Sequence, residues 1–133
     1  MLRLEIVTPE RRVLDTEVDS VTVPTASGEV GILPSHAPLV SQVKPGVLAY
    51  TIKGVSEKLA ISGGFLEVND NKVAVLADSA ETADEIDIDA ARTTRDEAEK
   101  AFAATASLSL DETEAAREQL DAANVRLHLA GVR

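Results

Sequence analysis

The residues of this chain best suited to acid–base chemistry are its two histidines, His36 and His128. A serine or lysine nucleophile needs such a base within hydrogen-bonding reach, and Ser35 lies directly beside His36. Neighbours in sequence seldom point at each other, however, and no G-x-S-x-G elbow surrounds this serine. The chain has no cysteine, which excludes thiol nucleophiles and disulfides. The sequence therefore gives no support to nucleophilic catalysis, and we do not expect an enzyme.

A second candidate for chemistry is the acidic run that contains Asp84, Asp87 and Asp89. Carboxylates are ligands that calcium prefers, but this run lacks the glycine at the sharp turn and the closing glutamate of a calcium loop. The acids suit the positive end of a helix instead. Gly28 and Gly31 have no lysine beside them, unlike a phosphate-binding loop, and are typical of turns. We therefore predict neither a metal site nor a phosphate loop.

The overall charge makes another class of function improbable on electrostatic grounds. Thirteen Lys and Arg stand against 23 Asp and Glu, which gives a formal net charge of −10. Such a surface repels phosphate backbones, and the aromatic residues that would stack on bases make up only 2% of the chain. We therefore expect no nucleic-acid partner, and we expect a core built from aliphatic side chains.

Proline and glycine divide the chain into two parts. All five prolines lie at or before Pro45, and six of the seven glycines lie at or before Gly64. Frequent breaks between β-branched runs are typical of short strands, whereas a long stretch without either residue is typical of helix. We therefore predict a boundary between Ala83 and Asp87, with a first domain over residues 1–84 and a second over residues 85–133.

The first part is predicted to be a β-sandwich or barrel, because it contains eight to ten short strands at regular spacing. Leu2, Leu4 and Ile6 alternate with the intervening residues as in a half-buried strand. Further strands are predicted over residues 12–15, 18–23, 30–33, 39–43, 47–52, 58–61, 65–68 and 72–76. Asn69, Asp70 and Asn71 tolerate left-handed backbone, which predicts a tight hairpin between the last two strands.

The second part is predicted to be an antiparallel helical hairpin. Asp87 is a good N-cap for a first helix from Ile88 to about Thr105, and Ser109 with Glu112 forms a capping box for a second helix. The second helix carries a heptad seam of Ala116, Leu120, Ala123 and Leu127. A buried methylene contributes only about 0.8 kcal/mol, so a seam rich in alanine holds two helices together weakly. We therefore expect that the hairpin can open.

Six segments carry a resemblance that spans nearly the whole chain. They are LEIVTPERRVLD from Leu4, GEVGILPSHAPLV from Gly28, KPGVL from Lys44, SGGFLEV from Ser62, VAVLAD from Val73 and IDIDAAR from Ile86. By themselves the loop after Gly28 and the SGGF segment are explained equally well by turn chemistry and by binding. In this order, however, the six segments together resemble the ε subunit of bacterial and chloroplast F-type ATP synthases. The resemblance implies an α+β fold, with an N-terminal β-sandwich followed by a C-terminal helical hairpin.

The resemblance also implies a function, that of a non-catalytic rotor subunit in the central stalk of a proton-translocating ATP synthase. The sandwich is expected to bind the γ subunit and the c-ring, and so to couple ring rotation to ATP synthesis. The hairpin is expected to regulate ATP hydrolysis by extending toward the catalytic α and β subunits. The loop with Glu29, Gly31 and His36 is expected to face the c-ring. The implied location is peripheral, on the cytoplasmic side of a bacterial cell membrane or on a chloroplast thylakoid.

The family further implies a regulatory ATP site on the folded hairpin of some members. Ile88, Asp89 and Arg92 match its I/L-D-x-x-R-A motif, Thr93 stands in place of the final alanine, and Arg126 matches an arginine of the second helix. Asp89 and Arg92 are also spaced as a plain surface ion pair would be. A stand-alone ATP-binding domain is therefore the alternative function. From Asp87 onward six Lys and Arg stand against ten Asp and Glu, a net charge of −4, which argues against strong electrostatic inhibition.

Overall fold

A computed structural model describes residues 1–107 and 109–131 of the chain, with the side chains of residues 106 and 107 left out of the description. The strands are β1 (Leu2–Val7), β2 (Arg12–Val18), β3 (Ser20–Thr25), β4 (Gly28–Ile32), β5 (Leu39–Gln42), β6 (Gly46–Ile52), β7 (Val55–Asn69) and β8 (Lys72–Glu81). The helices are α1 (Ile88–Ala103) and α2 (Leu110–Leu129), with short 3-10 turns at Ala83–Glu85 and Ala104–Ser107. The predicted α+β class, a β-sandwich followed by a helical hairpin, is confirmed.

The sandwich is built around the two long strands β7 and β8. The strand order is β2-β1-β8-β7-β6-β3-β4, and β5 also pairs with β7. Strand β7 pairs with β6 up to Ile61 and with β5 from Phe65 onward, so it changes partner on this side at its middle. The N-terminal strand β1 lies parallel to β8, with Leu4 opposite Val73. The two ends of the sandwich sequence are therefore neighbours in the sheet.

The prediction of two separate strands over residues 58–61 and 65–68 is wrong, because they form the single strand β7. Gly63 and Gly64, at φ +55° and +105°, bend this strand without ending it. Strand β8 remains its partner across the bend, from Ala60 opposite Glu81 to Asn69 opposite Lys72. Pairing with the backbone of β8 therefore keeps β7 continuous at a site where the sequence alone predicts that the strand ends.

The bend at Gly63 and Gly64 also changes which side chains of β7 point into the core. Before it the residues buried in the sandwich core are Leu59 and Ile61, and after it they are Leu66 and Val68, so the alternation shifts by one residue. A β-carbon added to Gly64 would overlap the backbone carbonyl of Leu76 on β8. Glycine is therefore required here both for its positive φ and for the close approach of the two strands.

The core of the sandwich is aliphatic, as the composition predicts. Its largest fully buried side chains are Leu2, Leu4, Ile6, Ile32, Leu48, Ile61 and Leu66, together with valines such as Val18, Val21, Val23, Val43 and Val68. All buried members of this cluster lie at or before Ala80. The sandwich therefore has a core of its own, to which the helices contribute no buried residue.

The predicted caps and the predicted tight turn are confirmed. Asp70 and Asn71 have φ of +49° and +61°, as a two-residue hairpin turn with left-handed backbone requires. The Asp87 carboxylate accepts the backbone N–H of Ala90 at 3.0 Å, and Ser109 forms a capping box with Glu112. Helix α1 ends at Ala103 rather than near Thr105, because the chain tightens there into the 3-10 turn.

Within residues 1–107 and 109–131, no helix is both long and apolar enough to cross a membrane.

Candidate functional site

Helix α2 packs against the outer face of the sheet formed by β6 and the first half of β7. A small apolar cluster of Ala60, Ile86, Ala91 and Leu127 fills the junction. Only Ile86 and Leu127 are large, and apart from Leu127 the buried residues of the two helices are all alanine: Ala91, Ala98 and Ala123. Each alanine removes little apolar area from water, so this contact adds little stability per residue. Half-buried side chains pack around the cluster, namely Ile88, Val125, Leu129 and Ala130, so the hairpin is folded onto the sandwich over a small apolar contact.

Two ion pairs flank this apolar contact and join α2 to the sandwich. The Arg126 guanidinium donates to both carboxylate oxygens of Glu81, at 2.7 and 3.3 Å. The Lys44 ammonium, on the loop between β5 and β6, donates to Glu118 at 2.7 Å. This hydrogen bond, followed by the charge of Glu118, raises the pKa of Lys44. Charged contacts thus supplement the weak apolar packing.

A third ion pair fixes the segment that leads into the hairpin. Arg11, on the loop between β1 and β2, donates to Glu85 at 2.6 Å. Glu85 also accepts the backbone N–H of Thr82 at 3.1 Å. That backbone hydrogen bond is the main cause that lowers the pKa of Glu85, and Arg11 adds to it. The start of the second part of the chain is therefore anchored to the first.

The residues predicted to face the c-ring occupy an edge strand and the loop after it. Glu29 and Gly31 lie in β4 at the end of the strand order, are two residues apart, and are both exposed. His36 lies in the following loop, where its Nδ1 is 2.7 Å from the carbonyl oxygen of Ala37. Glu29 lines a groove of about 540 Å³ that also includes His128 and Leu129 at the end of α2. Glu29 and Gly31 therefore share one face, while His36 lies beyond the far end of the strand.

The loop that carries His36 is tied to the turn between β7 and β8. The backbone N–H of Ser35, a residue with φ +67°, donates to the Asn71 side chain at 2.6 Å. The hydrogen bonds of Ser35 and His36 in the described part of the chain do not join the two side chains to each other. The described residues also hold no group of three or more His, Asp or Glu side chains that fits a metal ion. The loop that carries Ser35 and His36 is therefore held against the turn between β7 and β8.

The four residues predicted to bind nucleotide, Ile88, Asp89, Arg92 and Arg126, differ in burial and in their contacts. Ile88 is half-buried against the apolar cluster, and Asp89 and Arg92 are exposed on the first turns of α1. Among the described ion pairs Asp89 and Arg92 do not contact each other. Arg126 is engaged by Glu81, and it lines a crevice of about 420 Å³ between α1 and α2 with Ala98 and Ala123. A nucleotide would have to share Arg126 with Glu81, and this site stays a prediction.

An exposed apolar patch, which the sequence alone does not predict, lies on β5, the second half of β7 and β8, and consists of Val40, Phe65 and Leu76. Their exposed fractions are 72%, 59% and 57%. Phe65 lies directly opposite Leu76, and Val40 lies opposite Glu67, two residues further along β7. The helices pack against β7 at Ala60, and Val40, Phe65 and Leu76 are not part of that contact. The three residues come from strands far apart in sequence, and only the paired strands bring them together.

Comparisons with known proteins agree with this architecture. Residues 1–83 match the family model described as ATP synthase, Delta/Epsilon chain, beta-sandwich domain. The ATP synthase epsilon chain of Herpetosiphon aurantiacus is 48% identical over 132 residues, 99% of this chain and 96% of that protein. The ATP synthase epsilon chain of Desulfitobacterium hafniense strain Y51 is 50% identical over 97 residues, 73% of this chain and 74% of that protein.

Solved structures give the same result. A chain in the cryo-EM structure of the Euglena gracilis mitochondrial ATP synthase, covering OSCP, F1 and c-ring, superposes with a TM-score of 0.75 at 27% identity, over 93% of this chain and 78% of that chain. A chain of the Tetrahymena thermophila mitochondrial ATP synthase, from its central stalk and c-ring, shares the fold with a TM-score of 0.65 at 16% identity, over 97% of this chain and 96% of that chain. With its sandwich, its hairpin and these relatives, the chain belongs to the delta/epsilon chain family of ATP synthases, as its motifs predict.

Proposed function

We propose that this chain is a non-catalytic rotor subunit in the central stalk of a proton-translocating F-type ATP synthase. In this role the sandwich binds the γ subunit and the c-ring and couples ring rotation to ATP synthesis. The hairpin regulates ATP hydrolysis by leaving the sandwich and reaching the α and β subunits. The observation that carries the proposal is an uncovered apolar patch on a sandwich of the epsilon-chain type.

The patch of Val40, Phe65 and Leu76 is suited to a permanent partner. Clustered exposed apolar side chains on a soluble protein mark interaction surfaces, and an aromatic residue among them is a common anchor of binding energy. Gln42 and Glu67, which lie beside the patch on the same strands, supply a polar rim. We assign the γ subunit to this surface and the c-ring to the edge strand with Glu29 and Gly31, next to the loop with His36.

The division into a sandwich of residues 1–84 and a hairpin of residues 85–133 is part of the proposal. It is supported by the sandwich core, which draws all its buried residues from the first 80. We expect that a fragment of residues 1–84 folds and is retained with γ and the c-ring when the complex is captured from membranes, as the full chain is. A folded fragment that is absent from the captured complex, or an unfolded one, would contradict the division. If neither the fragment nor the full chain is captured, the stalk assignment itself is wrong.

The assignment of the ring-facing edge leads to a charge-reversal experiment. In the proposed complex the Glu29 carboxylate meets the polar loops of the ring, and Glu29→Lys replaces it with a cation. We expect weaker coupling, measured as less proton-driven ATP synthesis per complex in reconstituted vesicles. Glu57→Lys makes the same change at an exposed position of β7, where a surface substitution is usually within about 0.5 kcal/mol of neutral. Equal losses in both variants would rule out a special role for Glu29.

The proposed location follows from the complex and not from the chain itself. A subunit attached to a membrane-embedded ring is peripheral to that membrane. We place it on the cytoplasmic side of the cell membrane, in line with its bacterial relatives.

A further inference from the structure

We propose that the pairs Glu81–Arg126 and Lys44–Glu118 form an electrostatic latch, which fixes α2 in one register on the sandwich and loosens as ionic strength rises. The two pairs have opposite polarity. The sandwich supplies the anion in the first pair and the cation in the second. The latch is a property of the isolated chain, and only its regulatory meaning rests on the proposed function.

The Glu81–Arg126 pair is the stronger half of the latch. Both side chains are about three-quarters buried, with exposed fractions of 25% and 24%. The guanidinium uses two nitrogens on two oxygens, the bidentate geometry in which such pairs are strongest. Their partial burial weakens screening by salt without abolishing it. The pair joins the last residue of β8 to the last turn of α2, 45 residues further along the chain.

The Lys44–Glu118 pair is the more exposed half, with side-chain exposed fractions of 41% and 47%. Lys44 shares its crevice with the acids Glu114 and Asp121, and with Arg117. An exposed ion pair contributes at most about a fivefold change in an equilibrium. The pair matters because it gives α2 a second point of attachment. Eight residues separate Glu118 from Arg126, which is about 12 Å along the helix axis. Two points at that spacing fix both the position and the direction of α2.

The positions of the two pairs along α2 disfavour slipped positions of the helix, because a slip by one turn in either direction breaks the Glu81–Arg126 pair. A slip by one turn brings either Ala122 or Ala130 to Glu81 in place of Arg126. In the second case Ala122 also replaces Glu118 at Lys44, so both pairs are lost. A carboxylate that is largely buried without its partner is strongly unfavourable. The same slip moves Leu127 out of the apolar cluster and brings Ala123 or Gly131 to its place, so the apolar contact and the ion pairs favour the same register.

The latch is tested with distance measurements on the full isolated chain. The chain has no cysteine, so Glu57→Cys on the sandwich and Glu99→Cys on α1 allow labels to be attached at these two sites alone. Both positions are exposed. Electron paramagnetic resonance of paired spin labels then reports a narrow distance distribution for the folded hairpin and a broad one for the released hairpin.

In this background we expect Arg126→Gln to raise the ratio of released to folded hairpin about tenfold, as loss of a largely buried partner implies. The charge exchange Glu81→Arg with Arg126→Glu should return the ratio toward that of the parent. Raising the salt from 0.1 to 1 M should increase release in the parent more than in Arg126→Gln. The latch would be overturned if Arg126→Gln left the distance distribution unchanged. It would also be overturned if the charge exchange failed to restore the folded hairpin in a chain whose sandwich has the stability of the parent.

Arg117→Gln is the matched control. Arg117 lies on the same helix and is 70% exposed, and its described ion pair, with Asp121 at 4.0 Å, stays within α2. The substitution removes the same charge and leaves both ion pairs of the latch in place, so the distances should not change. Release by Arg117→Gln as large as that by Arg126→Gln would mean that helix charge in general, and not the latch, holds the hairpin. Because no partner subunit is present, this outcome is independent of whether the chain joins the stalk.

Discussion

A chain that carries Phe65→Glu should fold normally but should be lost from the assembled ATP synthase. Phe65 is 59% exposed, so the substitution removes little buried area and should change the free energy of unfolding by no more than about 0.5 kcal/mol. In the proposed interface, by contrast, it places a carboxylate at the centre of the apolar patch. Loss of a central aromatic anchor commonly weakens binding by about 2 kcal/mol or more, which is roughly thirtyfold. Titration of purified γ subunit onto labelled chain measures this change.

Val55→Glu is the control for Phe65→Glu, because Val55 has the same exposed fraction of 59% and lies on the same strand. It belongs to the half of β7 that pairs with β6, away from the patch. The control should bind γ as the parent chain does. Should Val55→Glu weaken binding as much as Phe65→Glu, the added charge and not the patch would be responsible. Normal binding by Phe65→Glu would move the γ interface to another surface.

Gly64→Ala should be among the most destabilising single substitutions in the chain. An alanine at φ +105° is strained by roughly 1–3 kcal/mol, and its β-carbon would overlap the Leu76 carbonyl. Separating the two strands to relieve that overlap adds a penalty of about 1–3 kcal/mol, as overpacking does. We therefore expect the free energy of unfolding in urea to fall by about 3 kcal/mol or more.

Gly28→Ala separates the two causes of that loss. Gly28 has nearly the same φ, +103°, but a β-carbon there meets no atom within 4 Å. It should therefore show only the backbone strain, and the difference between the two variants measures the strand contact. If both variants lose the same free energy, the close approach of β7 to β8 is not a source of the instability.

The sequence predicts those features of the fold that depend on neighbouring residues. The Asp87 cap and the capping box at Ser109 are such features, since each needs a polar side chain three residues from a free backbone N–H. The turn at Asp70 and Asn71 is another, because short polar side chains tolerate positive φ. In each case one local interaction decides the conformation.

The features that the sequence does not predict depend on distant residues. The continuity of β7 requires the backbone of β8, and the phase shift at Gly64 decides that Phe65 points outward while Leu66 is buried. A regular alternation of inward and outward residues cannot be extended through such a bend. Likewise, Arg126 could be matched to an arginine of related hairpins, but its pairing with Glu81 depends on where α2 lies on the sandwich. Contacts across 45 residues leave no periodic pattern in the sequence.

The parallel pairing of β1 with β8 has a consequence for how the chain is made. Leu4 cannot complete its side of the sheet until Val73, its partner, has been synthesised and has left the ribosome. Contacts between such distant residues slow folding, and the edge of β1 that faces β8 stays open to aggregation meanwhile. The helices follow directly after β8 and need only local contacts to form. We therefore expect the sandwich to close late in translation, at about the time that the hairpin begins to emerge.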